Sequence, residues 1–346
     1  MKVCSRLTGS RLIATGLVFA LLVLPAGAQQ ERGQKPIPQD DEPIKLNTTL
    51  VQVPVVVSER GGRYVSDLSR DEFAVFEDGV KQTIDLFGSV EEPFSVALLL
   101  DSSGSTVTTL DQIKAAAIAF IANLRPHDRV MVVSFNDSVE VLSELTNDTA
   151  RLGAAVQAIK PGEFTQVYEA VYTAVWERLR DLPGRKAVIV FSDGVDTASS
   201  EISLEDTLDA VIESEDIIVY PIRYATREDV ERKMEARVRA SLNSNGSAAV
   251  DAKLEQSRRE LDRAYRGADE YFQQLADMSG GIVERADKLG DLRAALGRIA
   301  EELRHQYLLG YYPTNKQKDD KARKITVRVT RQSVIVRARP AYRLTQ

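Results

Sequence analysis

The chain of 346 residues sets 45 Lys and Arg against 51 Asp and Glu, a formal charge of −6, and 43% of its residues are hydrophobic. That balance argues against a nucleic-acid partner, and the apolar share can bury a large core in one main domain with additions. One cysteine and two histidines leave no disulfide framework and little material for thiol or imidazole chemistry.

Residues 1–28 read as a signal peptide. Lys2, Arg6 and Arg11 precede the apolar stretch Leu12 to Leu24, and Ala26 and Ala28 are the small residues before a cut. The apolar run is shorter than the roughly 20 residues that span a bilayer, and Cys4 lies upstream of it, where a lipoprotein cysteine would not stand. Cleavage before Gln29 removes three basic residues, so 42 basic face 51 acidic ones, a charge of −9, with no cysteine and no second long apolar segment. The expected location is secreted or periplasmic, with no membrane span after cleavage. Residues 29–44 are polar, hold three prolines, and read as a flexible linker.

Residues 45–92 form an expected N-terminal β unit. Leu50 to Val57 is β-rich, with Pro54 favouring an edge position, and Gly61-Gly62 turns the chain toward Tyr64-Val65. Ser69 and Glu72 have capping-box spacing for a short helical turn. Asp78-Gly79 then joins Phe73 to Glu77 with Val80 to Phe87 as a hairpin.

From Phe94 strands and helices alternate. Strand candidates are Phe94 to Leu100, Arg129 to Phe135, Val139 to Leu142, Ala187 to Ser192, Ile217 to Ile222 and Ile282 to Arg285. Helical spacing recurs over Leu110 to Leu124, Leu152 to Ile159, Tyr168 to Leu179 and Asp291 to His305. The link from Phe135 to Val139 is too short for a crossover helix, so the third strand is expected as an antiparallel edge. These elements predict an α/β domain over residues 93–305, doubly wound, with a mostly parallel sheet and helices on both faces.

Residues 226–269 interrupt that domain with a charged segment. Val230, Met234, Val238 and Leu242 form one stripe, Leu254, Leu261, Tyr265 and Phe272 another, and Asn243 to Ser247 separates them, which predicts a helical hairpin separable from the fold. A binding arm, a dimerisation arm or a solvated excursion would all use this pattern. Residues 306–346 close the chain with Gln306 to Tyr312 and a C-terminal β hairpin of Lys324 to Thr330 and Val334 to Arg339, with Arg328, Arg331, Arg337 and Arg339 on an outward, solvated face. This hairpin is expected to pair with the N-terminal β unit in a small sheet.

Two strands deliver an aspartate at their carboxyl ends. Asp101-Ser102-Ser103-Gly104-Ser105 follows the first, Asp193-Gly194 follows the fourth, and Thr165 stands in the loop entering a helix between them. In open α/β sheets, ligands gather outside the carboxyl ends of the strands where the order reverses. A carboxylate and two hydroxyls at alternate positions of a tight turn are hard oxygen donors, suited to Mg²⁺, Mn²⁺ or Ca²⁺. Turn and cap roles would explain each residue but not their joint placement, whereas for Asp196 a turn or cap role is the expectation.

At these residues the chain resembles the von Willebrand factor type A domain, whose metal-ion-dependent adhesion site runs Asp-x-Ser-x-Ser, then Thr, then Asp. The whole chain resembles secreted bacterial proteins with a VWFA-related domain. The resemblance implies a divalent-cation site of Asp101, Ser103, Ser105, Thr165 and Asp193, with Mg²⁺ the first candidate, and an open position filled by a carboxylate from a protein partner. It implies adhesion without catalysis. A scaffold with an unused or structural metal site is the alternative. A Mg²⁺-dependent phosphohydrolase of the haloacid-dehalogenase-like kind would want Asp where Ser103 stands, and no Walker or nucleophile-elbow motif occurs.

Overall fold

The structure, a computed structural model, describes residues 50–88, 92–241, 248–317 and 319–344. The chain divides between Leu46 and Asn47, and every element below belongs to the second part. The expected signal peptide (1–28), linker (29–44) and Asn243 to Ser247 turn lie outside the described residues. Among the described residues no helix is long and apolar enough to cross a membrane.

The amino-terminal flank supplies β1 (Val51–Glu59), β2 (Phe73–Glu77), β3 (Val80–Gln82) and β4 (Leu86–Gly88). The central layer then runs β5 (Phe94–Asp101), α1 (Leu110–Ala122), β6 (Arg129–Phe135), β7 (Val139–Thr146), α2 (Thr149–Ala158) and α3 (Val167–Tyr172). The helix continues from α3 as a π-helical stretch, Thr173–Leu179. There follow β8 (Arg185–Ser192), α4 (Leu204–Glu213), β9 (Ile217–Tyr224), α5 (Arg227–Ser241), α6 (Ala248–Ser279), β10 (Glu284–Ala286) and α7 (Leu289–Arg304). The carboxyl flank adds β11 (Gln306–Tyr311), β12 (Ala322–Val329), β13 (Val334–Ala338) and β14 (Ala341–Arg343).

The central sheet has the order β10-β9-β8-β5-β6-β7. All pairings are parallel except β6 with the edge strand β7, as the three-residue gap between those strands requires. Strand residues alternate between two apolar layers. Val96, Leu98, Val132 and Ile189 face α1, α2 and α7, whereas Ala97, Leu99, Val133 and Val190 face α3, α4 and α6. This is the doubly wound α/β arrangement with helices on both faces. The chain leaves β5 toward β6 on one side and returns to β8 on the other, so β5 and β8 border the switch point.

The flanks build two four-stranded sheets, β13-β1-β11-β4 and β14-β12-β2-β3, around one shared apolar core that includes Val53, Val55, Val75, Tyr307, Leu309 and Tyr342. The C-terminal segment is therefore not a hairpin: β12 pairs with β2 while β13 pairs with β1 in the other sheet. The turn between them carries Ser333 at φ 62°. Pro54 lies in an inner strand, but β13 begins its pairing only at Val55, so the missing N–H falls where that neighbour has ended. Arg339 is not outward either. It is 1% exposed and donates to the carbonyls of Val211, Ile212 and Ser214 at the end of α4, tying the flanking sheets to the central domain.

The charged segment is a helical hairpin only in part. α6 runs 32 residues to Ser279, ten beyond residue 269, and its Tyr271, Phe272 and Leu275 are buried in the central core. Parallel β9 and β10 need a crossover, and the second half of α6 is that crossover. The expected boundary at residue 269 therefore falls inside α6, which continues without a break into the central core.

Candidate metal centre

Asp101 is the last residue of β5 and wholly buried. Its Oδ1 accepts from the backbone N–H of Ser103 at 2.8 Å, and its Oδ2 accepts from Ser192 Oγ at 2.5 Å. Ser103 Oγ lies 3.1 Å from Ser105 Oγ, so the two hydroxyls of the turn converge. The turn is held against the next loop by Gly162 N–H donating to the Ser102 carbonyl at 2.8 Å and Gly104 N–H to the Glu163 carbonyl at 3.4 Å. A Cβ on Gly104 would stand 3.1 Å from that carbonyl, which explains the glycine within the serine-rich turn.

Thr165 is 5% exposed. Its carbonyl accepts from the N–H groups of Thr197 and Ala198, and its own N–H donates to Thr197 Oγ1 at 2.9 Å, which locks the loop before α3 to the loop after β8. Asp193, 2% exposed, is the first residue beyond β8. Gly194 follows at φ 77°, where an added Cβ would meet Phe272 and Ala268 of α6 at 3.1 and 3.2 Å. Ser105, Thr165 and Asp193 line one cavity of about 480 Å³, with Ser103 and Asp101 directly behind Ser105. All five predicted residues therefore gather at the switch point between β5 and β8.

Asp196 does what a capping residue does. It accepts from Ser199 Oγ at 2.6 Å, from the N–H groups of Ala198 and Ser199, and from Tyr168 N–H in the first turn of α3. Three residues near the site escaped sequence reasoning. Ser192 supports Asp101, and Thr226 Oγ1 donates to Asp193 Oδ2. The Tyr265 hydroxyl of α6 lies 2.7 Å from Thr226 Oγ1 and 3.3 Å from Asp193 Oδ2. The base of the charged segment thus touches a carboxylate of the site and is tied to it.

Electrostatics test whether a cation fits. Burial first, and then the charge of Asp193, push the Asp101 carboxyl up to about 7. Among the described residues neither aspartate has an ion-pair partner. Two buried carboxylates facing one another without a cation are costly, and two carboxylates with three hydroxyls are an all-oxygen donor set. The residues present fit a hard divalent ion. Among the described residues no cluster of three or more His, Cys, Asp or Glu occurs, so the donor set here is two carboxylates and three hydroxyls. Of the histidines, His305 stacks on Tyr64 at 5.1 Å between centroids and His127 is exposed, and neither lines the cavity.

A doubly wound α/β domain with an oxygen-lined site at its switch point defines the class. Residues 96–195 match the family model described as von Willebrand factor type A domain. Among solved structures the chain is similar to proximal thread matrix protein 1 from the mussel byssus with a zinc-occupied MIDAS motif, at 12% identity and TM-score 0.46, over 66% of this chain and 50% of that one. It is also similar to a von Willebrand factor type A protein from Catenulispora acidiphila, at 10% identity and TM-score 0.46, over 87% and 76%. A third is the vWF domain of the type V pili tip protein Mfa5 from Porphyromonas gingivalis, at 13% identity and TM-score 0.43, over 60% and 94%. The chain spans about half the length of the mussel protein. No curated protein sequence matches the chain.

Proposed function

We propose that this protein is a secreted or periplasmic, non-catalytic binding module that engages a protein partner through a divalent cation, with Mg²⁺ the first candidate. Asp101, Ser103, Ser105, Thr165 and Asp193 would hold the ion. A bound dication would supply positive charge to the aspartate pair and a position for an acidic side chain of the partner. The observation that carries this reading is the pair of buried carboxylates, Asp101 and Asp193, brought together with three hydroxyls and, among the described residues, ion-paired to no cationic side chain. Ser192, Thr226 and Tyr265 orient the two carboxylates, and the loops that carry them are cross-braced by backbone hydrogen bonds.

A ligand that binds only the folded state stabilises it by about 2.7 kcal/mol at a hundredfold excess over Kd. Thermal melting in Mg²⁺ and in EDTA therefore tests the reading. The expected result is a Mg²⁺-dependent rise in Tm for the wild type, lost in Asp101→Asn and kept in Asp196→Ala, whose baseline falls because its caps are gone. An equal rise in Asp101→Asn would contradict it.

A further inference from the structure

The cavity over the candidate metal centre has two unlike walls. Its floor is Ser105, Thr165 and Asp193, and its roof is Val230, Met234 and Val238 of α5 with Leu261 of α6. The three α5 residues recur at every fourth position on one face, yet none belongs to a hydrophobic core cluster, and each is only partly buried. The rest of α5 is charged, and ion pairs of Arg227 with Asp262 and of Arg258 with Glu231 and Glu235 fasten it to α6. The apolar stripe is thereby held over the site.

Cations stand beside that stripe. Lys233 Nζ donates to the carbonyl of Gly104 at 3.1 Å, within the turn that carries Ser103 and Ser105, and Arg237 lines the cavity one turn further on. Phe164, 50% exposed, adds an aromatic face at the rim. The volume of about 480 Å³ lies in the range of roughly 300–1,000 Å³ typical of ligand pockets, which suits a short inserted segment. An acidic side chain alone would need none of the apolar roof. An apolar segment alone would have no use for two basic residues and a charged floor.

We propose that this pocket is a recognition subsite for a protein segment in which the acidic residue that reaches the cation is flanked by large apolar side chains, α5 supplying the specificity. This rests on the cation-dependent reading above. On it, Met234 and its neighbours take the apolar flank, while Lys233 and Arg237 complement the negative charge of the segment.

The full chain, titrated calorimetrically with acetyl-Gly-Leu-Asp-Leu-Gly-amide and acetyl-Gly-Ser-Asp-Ser-Gly-amide in Mg²⁺ and in EDTA, tests the proposal, with Mn²⁺ titrated separately. The leucine peptide should bind only with the metal and roughly tenfold more tightly than the serine peptide. Met234→Ser, at a partly buried position outside the cores, should shrink that preference to less than about threefold while leaving Mn²⁺ affinity unchanged. Equal affinities, no peptide binding by a protein that binds Mn²⁺, or a preference kept in Met234→Ser would overturn the subsite and leave the metal site standing. Absence of Mn²⁺ binding would overturn both.

Discussion

At Asp101 the fold holds a carboxyl against its ordinary ionisation. The unfolded chain releases this proton near the ordinary aspartate value of about 3.9, whereas burial and the charge of Asp193 hold it to about 7 in the folded protein. Between those values the folded state binds more protons, so the metal-free protein should lose stability as pH rises from about 4 to about 7, by a few kcal/mol at most. Asp101→Asn should flatten that slope in EDTA melts; an unchanged slope would assign it to other groups. Since a cation must displace the proton, metal affinity should climb over the same interval and level off above about pH 7. Asp101, Ser103, Ser105 and Asp193 stood out in the sequence because they lie at or just beyond the ends of two strands, and Thr165 because it precedes a helical run. Ser192, Thr226 and Tyr265 did not, because a hydroxyl that bonds a carboxylate 33 to 91 residues away leaves no local pattern. Lys186 was equally hidden: it is the second residue of β8, yet it is fully buried and pairs with Asp216 at 2.8 Å.

Elements with a single period were easy to recognise, and those that serve two masters were not. The stripe of α6 changes partner along its length, from α5 and the cavity to the central core, and the charged first half conceals the crossover helix that parallel β9 and β10 demand. α4 went unread although Ser203 and Asp206 form a capping box at its start. β12 and β13 look like a hairpin because alternation reveals a strand but not its sheet. The junction of α6 with the site can be tested through Tyr265→Phe, which removes a hydroxyl beside Asp193 and little else. Loss of such a support costs roughly tenfold in metal affinity, and Mn²⁺ titration should show it. Unchanged affinity would uncouple the helix from the centre.

Across the whole molecule, strands from both ends of the chain interleave in two sheets and are bolted to the α/β layer. Arg339 closes the end of α4, Arg185 donates to the carbonyls of Leu303 and Gln306, and Glu302 accepts from Tyr220 at 2.7 Å and pairs with Arg337. The alternation of strands and helices announced the central layer, but Arg337 and Arg339 read as outward, solvated charges, because alternation along a strand does not reveal the carbonyls and the carboxylate they meet across the fold. Such polar ties predict one cooperative unfolding transition. Fluorescence of Trp176, which reports the α/β layer, should coincide with far-ultraviolet circular dichroism across a urea titration. Two separated transitions would mean that the flanking sheets fold on their own.

On the proposed function, five residues from three loops form one cation site. Anomalous diffraction from a crystal equilibrated with Mn²⁺ tests it most directly. A single strong peak bounded by Asp101, Ser103, Ser105, Thr165 and Asp193, lost in Asp101→Asn, is expected; no peak there, or one that survives the substitution, would rule the site out.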